Sequence, residues 1–377
     1  MSKLAKGGKA NAFFDNVARL IEQARAYVGR TVDVTMCVTY YEVGRMIVEE
    51  EQGGKARAMY GKGLLAGLSA YLGGRVGKGF SETNLRNARK FYLMYTPQIQ
   101  QSATAELSRG SKKQIQQSST AESRKDLLAT DFFKISWTHY VVLMRIENPD
   151  ERRFYEIEAA NNQWSVDDLK RQYNSSLYER LALSRDKDKV MRLAKEGQTV
   201  EKPHDILKKT LVLEFLNMAE DVTYSETDLE SAIIAKLQKF LLELGKGFLF
   251  EARQKRFGFD EKSFFVDLVF YNRLLQCYIL IDLKTTELKH QDLGQMLMYV
   301  NYFDRHIKKD FERPTVGILL CREKDDNIVE LTLPADANIY ASAYSLYLPD
   351  KTLLQRKLAE WVAEFEKGKR PKKNDNG

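Results

Sequence analysis

Two short runs constrain this chain more than anything else in it: Phe264-Phe265-Val266-Asp267-Leu268-Val269-Phe270 and Tyr278-Ile279-Leu280-Ile281-Asp282-Leu283-Lys284. Each is an apolar, strand-length run with ionisable groups in its middle or at its end. A carboxylate in a buried strand is costly unless a cation, a metal or hydrogen bonds compensate it. If the runs form an antiparallel hairpin turning symmetrically about Leu274-Leu275, Asp267 lies directly opposite Asp282. Like charges in that position repel. A hard divalent cation between them turns the repulsion into chelation by oxygen ligands. Lys284, two residues beyond Asp282, lies on the same strand face and points at the same spot. A turn centred on Asn272-Arg273 shifts the pairing but still leaves the two carboxylates as neighbours.

Asp, a spacer and then Asp-x-Lys resembles the PD-(D/E)XK nuclease superfamily. Gln295 and Tyr299 stand four apart on the helix expected after the second strand, so they share a face. That pair resembles the Gln-x-x-x-Tyr element of several branches of the superfamily. Upstream, Glu230 sits on a helix expected over Thr227 to Leu244, where many members keep a further acidic ligand. The N-terminal text Tyr40-Tyr41-Glu42-Val43-Gly44-Arg45, Gly77-Lys78-Gly79-Phe80-Ser81 with Asn84-Leu85 and Phe91-Tyr92, Ser136-Trp137-Thr138-His139-Tyr140, and Leu177 to Ser184 is similar to the YhcG-type family of bacterial nucleases. The similarity runs through nearly the whole chain.

That resemblance implies a helical, winged-helix-like N-terminal domain and a C-terminal α/β domain with a mixed sheet, α+β overall. It also implies cleavage of nucleic acid, DNA foremost, beside restriction and defence proteins. Mg²⁺ is the implied cofactor, with Mn²⁺ able to substitute. Asp267, Asp282 and the carbonyl of Leu283 would hold it, Glu230 would reach it through water, and Lys284 would orient and help deprotonate the attacking water. Gln295 and Tyr299 would buttress the site or touch the substrate backbone. The sequence departs from the superfamily pattern twice: Val266 stands where Pro usually precedes the first acid, and Asp282 stands where this family usually has Glu.

The bland readings are also defined. Thr227 and Glu230 fit a capping box, in which Glu230 returns a hydrogen bond to the backbone. Asp282 and Lys284 fit an edge pair at a strand end, although Asp267 would then need a partner of its own. A DNA-binding accessory or scaffold protein with an inactive nuclease fold is the alternative function, and Asp282 in place of Glu is its support.

With 377 residues and 44% hydrophobic content the chain is long enough for two cored domains. Its longest apolar runs are strand-length and its N-terminus lacks a signal-peptide core, so a cytoplasmic protein with no membrane segment is expected. Cys37, Cys277 and Cys321 are scattered and odd in number, which fits reduced thiols. The formal charge of +7 favours an anionic partner. A helix after the Gly77-Lys78-Gly79 turn, capped by Ser81, carries Arg86, Arg89 and Lys90 on one face and Leu85, Ala88, Tyr92 and Tyr95 on another. With Lys78, that basic face is the expected nucleic-acid contact; an ordinary solvated face is its alternative. The four histidines lack zinc-ligand spacing, and neither Gly-Lys-Gly turn completes a phosphate loop. A homodimer is expected because two sites cut two strands most simply.

Along the chain the expected order begins with a disordered start over 1–12. A helical domain follows over 13–200, with Phe14, Val17, Ile21, Ala24 and Val28 at helical spacing. It is interrupted at 96–130 by a flexible Gln/Ser-rich insertion, in which Gln98-Ile99-Gln100-Gln101-Ser102 recurs as Gln114-Ile115-Gln116-Gln117-Ser118. A connector follows over 201–224, with a helix drawn over Ile206 to Ala219. The nuclease-like domain spans 225–366 and a basic disordered tail 367–377.

Overall fold

The structure is a computed structural model that describes residues 4–53, 58–108, 132–184, 187–219, 222–259, 262–324, 326–334 and 336–369. The chain forms two compact units, Met1–Arg152 and Arg153–Gly377. The connector expected over 201–224 falls within the second of these units. Helices just after Arg152 are tied by charge to the sheet-bearing unit: Glu158 meets Lys246 at 2.8 Å, and Arg171 and Arg180 meet Glu243 at 2.9 and 2.6 Å. Distant buried partners of this kind have no sequence signature.

The described residues of the first unit are helices and connecting turns. They comprise α1 (Leu4–Gly53), α2 (Ala58–Arg75), α3 (Glu82–Ser108) and α4 (Trp137–Leu143). No strand occurs among them, so the wing expected from the resemblance is not seen in the described residues. Residues 4–12, read as disordered, continue α1, because adding residues to an existing helix avoids the cost of nucleating one. The helix expected to stop at Tyr95 runs on to Ser108, taking Pro97 into its interior and burying Ile99. The remainder of the expected insertion, 109–130, lies outside the described residues.

Leu85, Ala88, Phe91 and Tyr95 form the buried stripe of α3, with Phe91 taking the place expected of Tyr92. Gly44 lets α1 and α3 touch: a Cβ there would lie 2.1 Å from the carbonyl oxygen of Ala88. The residues that carry the family resemblance converge in this unit. Asn84 donates to the Gly79 carbonyl at 2.6 Å and accepts from the Trp137 indole at 3.1 Å, while the Tyr40 hydroxyl donates to the same carbonyl at 3.2 Å.

The second unit holds a six-stranded mixed sheet, order β1-β6-β5-β4-β3-β2. Its strands are β1 (Thr210–Val212), β2 (Phe248–Phe259), β3 (Lys262–Asn272), β4 (Cys277–Glu287), β5 (Val316–Glu323) and β6 (Ile339–Ser345). β2, β3 and β4 are antiparallel neighbours, and the remaining pairs are parallel. The helix expected over Ile206 to Ala219 is instead β1 between two 3₁₀ turns, because Thr210-Leu211-Val212 pairs with Ala343-Tyr344-Ser345.

Helices cover both faces of the sheet. On one, α5 (Glu226–Ala235) and α6 (Leu237–Leu244) contribute Leu229, Ile233, Phe240 and Leu244 to a core with Leu268, Phe270, Ile281 and Leu283. On the other, α7 (His290–Tyr302) contributes Leu293, Met296, Tyr299 and Val300 to a core with Val266, Val269, Leu280 and Leu319. The helix expected over Thr227 to Leu244 is thus two helices that break at Lys236. A last helix spans Lys351–Lys369, and the rest of the basic tail lies outside the described residues. Among the described residues no helix is long and apolar enough to cross a membrane.

Candidate active site

The β3–β4 hairpin has the register that symmetry about Leu274-Leu275 demands: Asn272 faces Cys277 and Leu268 faces Ile281. Asp267 and Asp282 stand one step beyond that last pair. There the strands part, and Asp267 Oδ2 accepts the Leu283 N–H at 2.8 Å. The same level is irregular in three ways. Val266 and Leu268 should share a face by the period of a strand, yet they pack in the two opposite cores. Gln254 on β2 falls in the gap between the pairs Arg253–Leu268 and Lys255–Val266. Its φ of 47° is in the left-handed region.

Lys284 Nζ lies 2.9 Å from Asp282 Oδ2 and 3.4 Å from Glu226 Oε2 at the start of α5. Asp282 Oδ2 is buried and takes its compensation from this ammonium. Burial and the facing Asp267 push the Asp282 carboxyl up to about 6, against the opposing pull of Lys284. Burial also raises Asp267, against the Leu283 N–H, the Gln254 amide and Lys284. Burial works against the charge on Lys284, but Asp282, Glu226 and Asp292 outweigh it and move its ammonium upward.

Glu230 is 3% exposed and is not a capping residue. The capping box lies two residues earlier than the sequence reading put it, with Ser225 and Asp228 exchanging hydrogen bonds at 3.1 and 3.0 Å. That frame frees Glu230, which takes the Arg253 guanidinium on Oε1 and the Gln254 amide on Oε2 at 2.6 Å. The same Gln254 nitrogen donates to Asp267 Oδ1 at 2.8 Å. On α7, Gln295 donates to the buried Tyr299 hydroxyl, and burial first, then Asp282 and Asp267, raise that phenol. Arg253 and Gln254 were not singled out from sequence. A polar residue on an exposed strand reads as surface until the register is known.

The expected basic face of α3 is largely engaged. Arg86 pairs with Glu82, Arg89 meets Glu51 at 2.6 Å, and Lys90 donates to the Met144 carbonyl at 2.6 Å; Lys78 is exposed.

The donor set suits a small hard cation. Two neighbouring buried carboxylates, whose mutual repulsion raises Asp282, match the one or two carboxylates plus waters by which Mg²⁺ is usually held. Among the described residues no three Asp, Glu, His or Cys side chains cluster at ligand spacing, so main chain and water would complete the shell.

Residues 204–359 match the YhcG PDDEXK nuclease domain and residues 16–180 the DUF1016 N-terminal domain. The chain is 38% identical, over 378 residues covering 98% of it and 100% of the relative, to the Escherichia coli (strain K12) protein named "Putative nuclease YhcG". The chain belongs to the YhcG family. Its sheet-bearing unit therefore carries a nuclease domain of the PDDEXK type, and the site above lies within the matched residues. Two solved structures overlap part of it. One is a repair endonuclease from Pyrococcus abyssi, at 18% identity and TM-score 0.24, over 35% of this chain and 50% of that one. The other is an EndoMS–dsDNA2 complex, at 15% identity and TM-score 0.25, over 35% and 49%. This chain thus spans about half the length of each.

Proposed function

We propose that this member of the YhcG family is a divalent-metal-dependent nuclease that hydrolyses phosphodiester bonds of DNA. One observation carries the reading: where β3 and β4 part, inside the PDDEXK domain, Asp267 accepts the N–H of Leu283, the residue between Asp282 and Lys284, which pair with each other. Mg²⁺, or Mn²⁺ in its place, is the cation the oxygen donors fit, and it would supply Lewis acidity and an activated water. Asp267 and Asp282 would hold it, with the Leu283 carbonyl completing the protein's share. Lys284 stays charged beside Asp282, so it orients the water and offsets charge on the scissile phosphate. The water oxygen bonds to phosphorus as one of its protons leaves to solvent, and the bond to the leaving sugar oxygen breaks as that oxygen takes a proton from solvent. Gln295 and Tyr299 would buttress the site from α7, and Glu230 supports Asp267 from α5 through Gln254.

The formal charge of +7 supports a nucleic-acid partner. Lys78, with Arg86, Arg89 and Lys90 once released from their partners, is the contact surface in this reading. Three buried free cysteines support a reducing, cytoplasmic setting. A winged-helix role for the first unit, a homodimer, and service beside restriction or defence proteins rest on the family resemblance alone. A second reading, an inactive DNA-binding accessory, is favoured by Asp282 standing where the family pattern has Glu.

Titrating Mg²⁺ or Mn²⁺ into the protein with plasmid, linear, branched and single-stranded DNA, beside Asp267→Ala and Lys284→Ala, tests both. Metal-dependent cleavage lost in both variants supports the nuclease. Binding without cleavage on every substrate supports the accessory, and restoring Glu at position 282 then becomes the next step.

A further inference from the structure

Gln254 occupies a position that neither packing nor strand propensity explains. It is an exposed glutamine in a β-strand with a φ of 47°, a conformation that costs a non-glycine residue of order 1 kcal/mol or more. Such strain persists only where surrounding interactions over-determine it. Those interactions are on one atom. The Gln254 Nε2 donates to Glu230 Oε2 at 2.6 Å and to Asp267 Oδ1 at 2.8 Å. Both carboxylates are acceptor-only when ionised, so an amide between them must present its nitrogen to both. Its two N–H groups are used one on each.

The consequence is geometric. Asp267 is fixed at three points: its own strand, the Leu283 N–H on Oδ2 and the Gln254 N–H on Oδ1. Each oxygen keeps a second lone pair, and the carboxylate plane is set by donors on either side. Glu230 is drawn in from α5, 24 residues away in sequence, and is held on its other oxygen by Arg253.

We propose that Gln254 is a positioning residue of the nuclease site, yoking Glu230 to Asp267 so that Asp267 presents a fixed carboxylate to the cation and the scissile phosphate. The inference rests on the function proposed above. Partners that orient a ligating carboxylate are typically worth about 10–100-fold in metal affinity or activity.

Two variants of the full-length protein separate this role from a structural one. Gln254→Gly adopts a positive φ without strain, so it removes the amide while relieving the backbone. Gln254→Met keeps the side-chain length and lacks N–H donors. The readouts are Mn²⁺ affinity by calorimetry without DNA, kcat and KM on whichever DNA form the metal titration shows to be cleaved, and the thermal midpoint. The expected result is a 10–100-fold fall in both Mn²⁺ affinity and kcat in both variants, KM unchanged, and a midpoint for Gln254→Gly above that of Gln254→Met, which keeps the strained backbone. Parent-like Mn²⁺ affinity and kcat in either folded variant would overturn the assignment and leave the nuclease standing. A rise in KM alone, or losses that track a lowered midpoint in both variants, would overturn it equally. A parent protein that neither binds Mn²⁺ nor cleaves removes the proposed function, and this inference with it.

Discussion

The carboxylate of Asp267 takes the main-chain N–H of Leu283 at 2.8 Å, one residue past the last paired residues of the β3–β4 ladder. A side chain thereby replaces a rung of the sheet. The strands part without leaving that N–H unpaired, and the gap is where Asp282 and Lys284 face Asp267.

Replacing Asp267 by Asn keeps the shape and the acceptor for Leu283, removes the charge, and turns an amide NH2 toward the Gln254 nitrogen. Because burial raises this carboxyl, losing the charge offsets part of the lost Gln254 hydrogen bond, and the thermal midpoint falls by no more than that one bond, about 1–3 kcal/mol, would cost. Cleavage should fall by about three orders of magnitude, the equivalent of the several kcal/mol that a metal-held charge supplies. Calorimetry and plasmid nicking on the same preparation check both halves.

Mg²⁺ should stabilise the parent protein. At a concentration 100 times its dissociation constant it contributes about 2.7 kcal/mol, a rise of roughly 5–10 °C in the midpoint of a domain of this size. Asp282→Asn should abolish the rise, as should a chelator. An unchanged Mg²⁺ response in that variant would remove Asp282 from the metal site.

Glu243 is fully buried among Arg171, Arg180 and Lys208, and it also accepts the Val212 N–H at 3.0 Å. Burial alone would raise its carboxyl, but Arg180, Lys208 and Arg171 outweigh it and hold it down at about 2. Its folded value is depressed, so its stabilisation is present above the unfolded value of about 4.3 and is lost as pH falls from there towards 2. Glu243→Gln leaves three cations short of a partner and should cost about 3–5 kcal/mol in urea denaturation at pH 7. The difference between parent and variant should shrink between pH 4.3 and 2. A constant difference across that window would contradict the depressed value.

Gly44→Ala should loosen the first unit. Its Cβ would fall 2.1 Å from the Ala88 carbonyl oxygen, a backbone atom with no rotamer to change. Overpacking of this kind costs at least about 2 kcal/mol, read as a lower thermal midpoint.

How much of this was legible depends on the range of each interaction. Hairpin symmetry is local, so numbering alone placed Asp267 opposite Asp282 and Lys284 beside it. Helical spacing put Gln295 next to Tyr299, which the hydrogen bond between them matches. The cap of α5 was misread by two residues, since Ser225-x-x-Asp228 and Thr227-x-x-Glu230 both fit a local rule and only packing decides between them. The charges on α3 were visible but their partners were not: Arg89 meets Glu51 across 38 positions.

By itself the sequence determined the two acid-bearing strands, the lysine two residues on and the family text around them, because strand period acts over a few residues; which of two turn centres sets the register was decided by the structure. Only the tertiary structure decided what surrounds those acids. Gln254 reaches Asp267, and links it to Glu230 and Arg253, because a helix and a third strand fold onto the hairpin at the level where its alternation breaks. Buried carboxylates must find donors wherever the fold brings them, and no local pattern names those donors in advance.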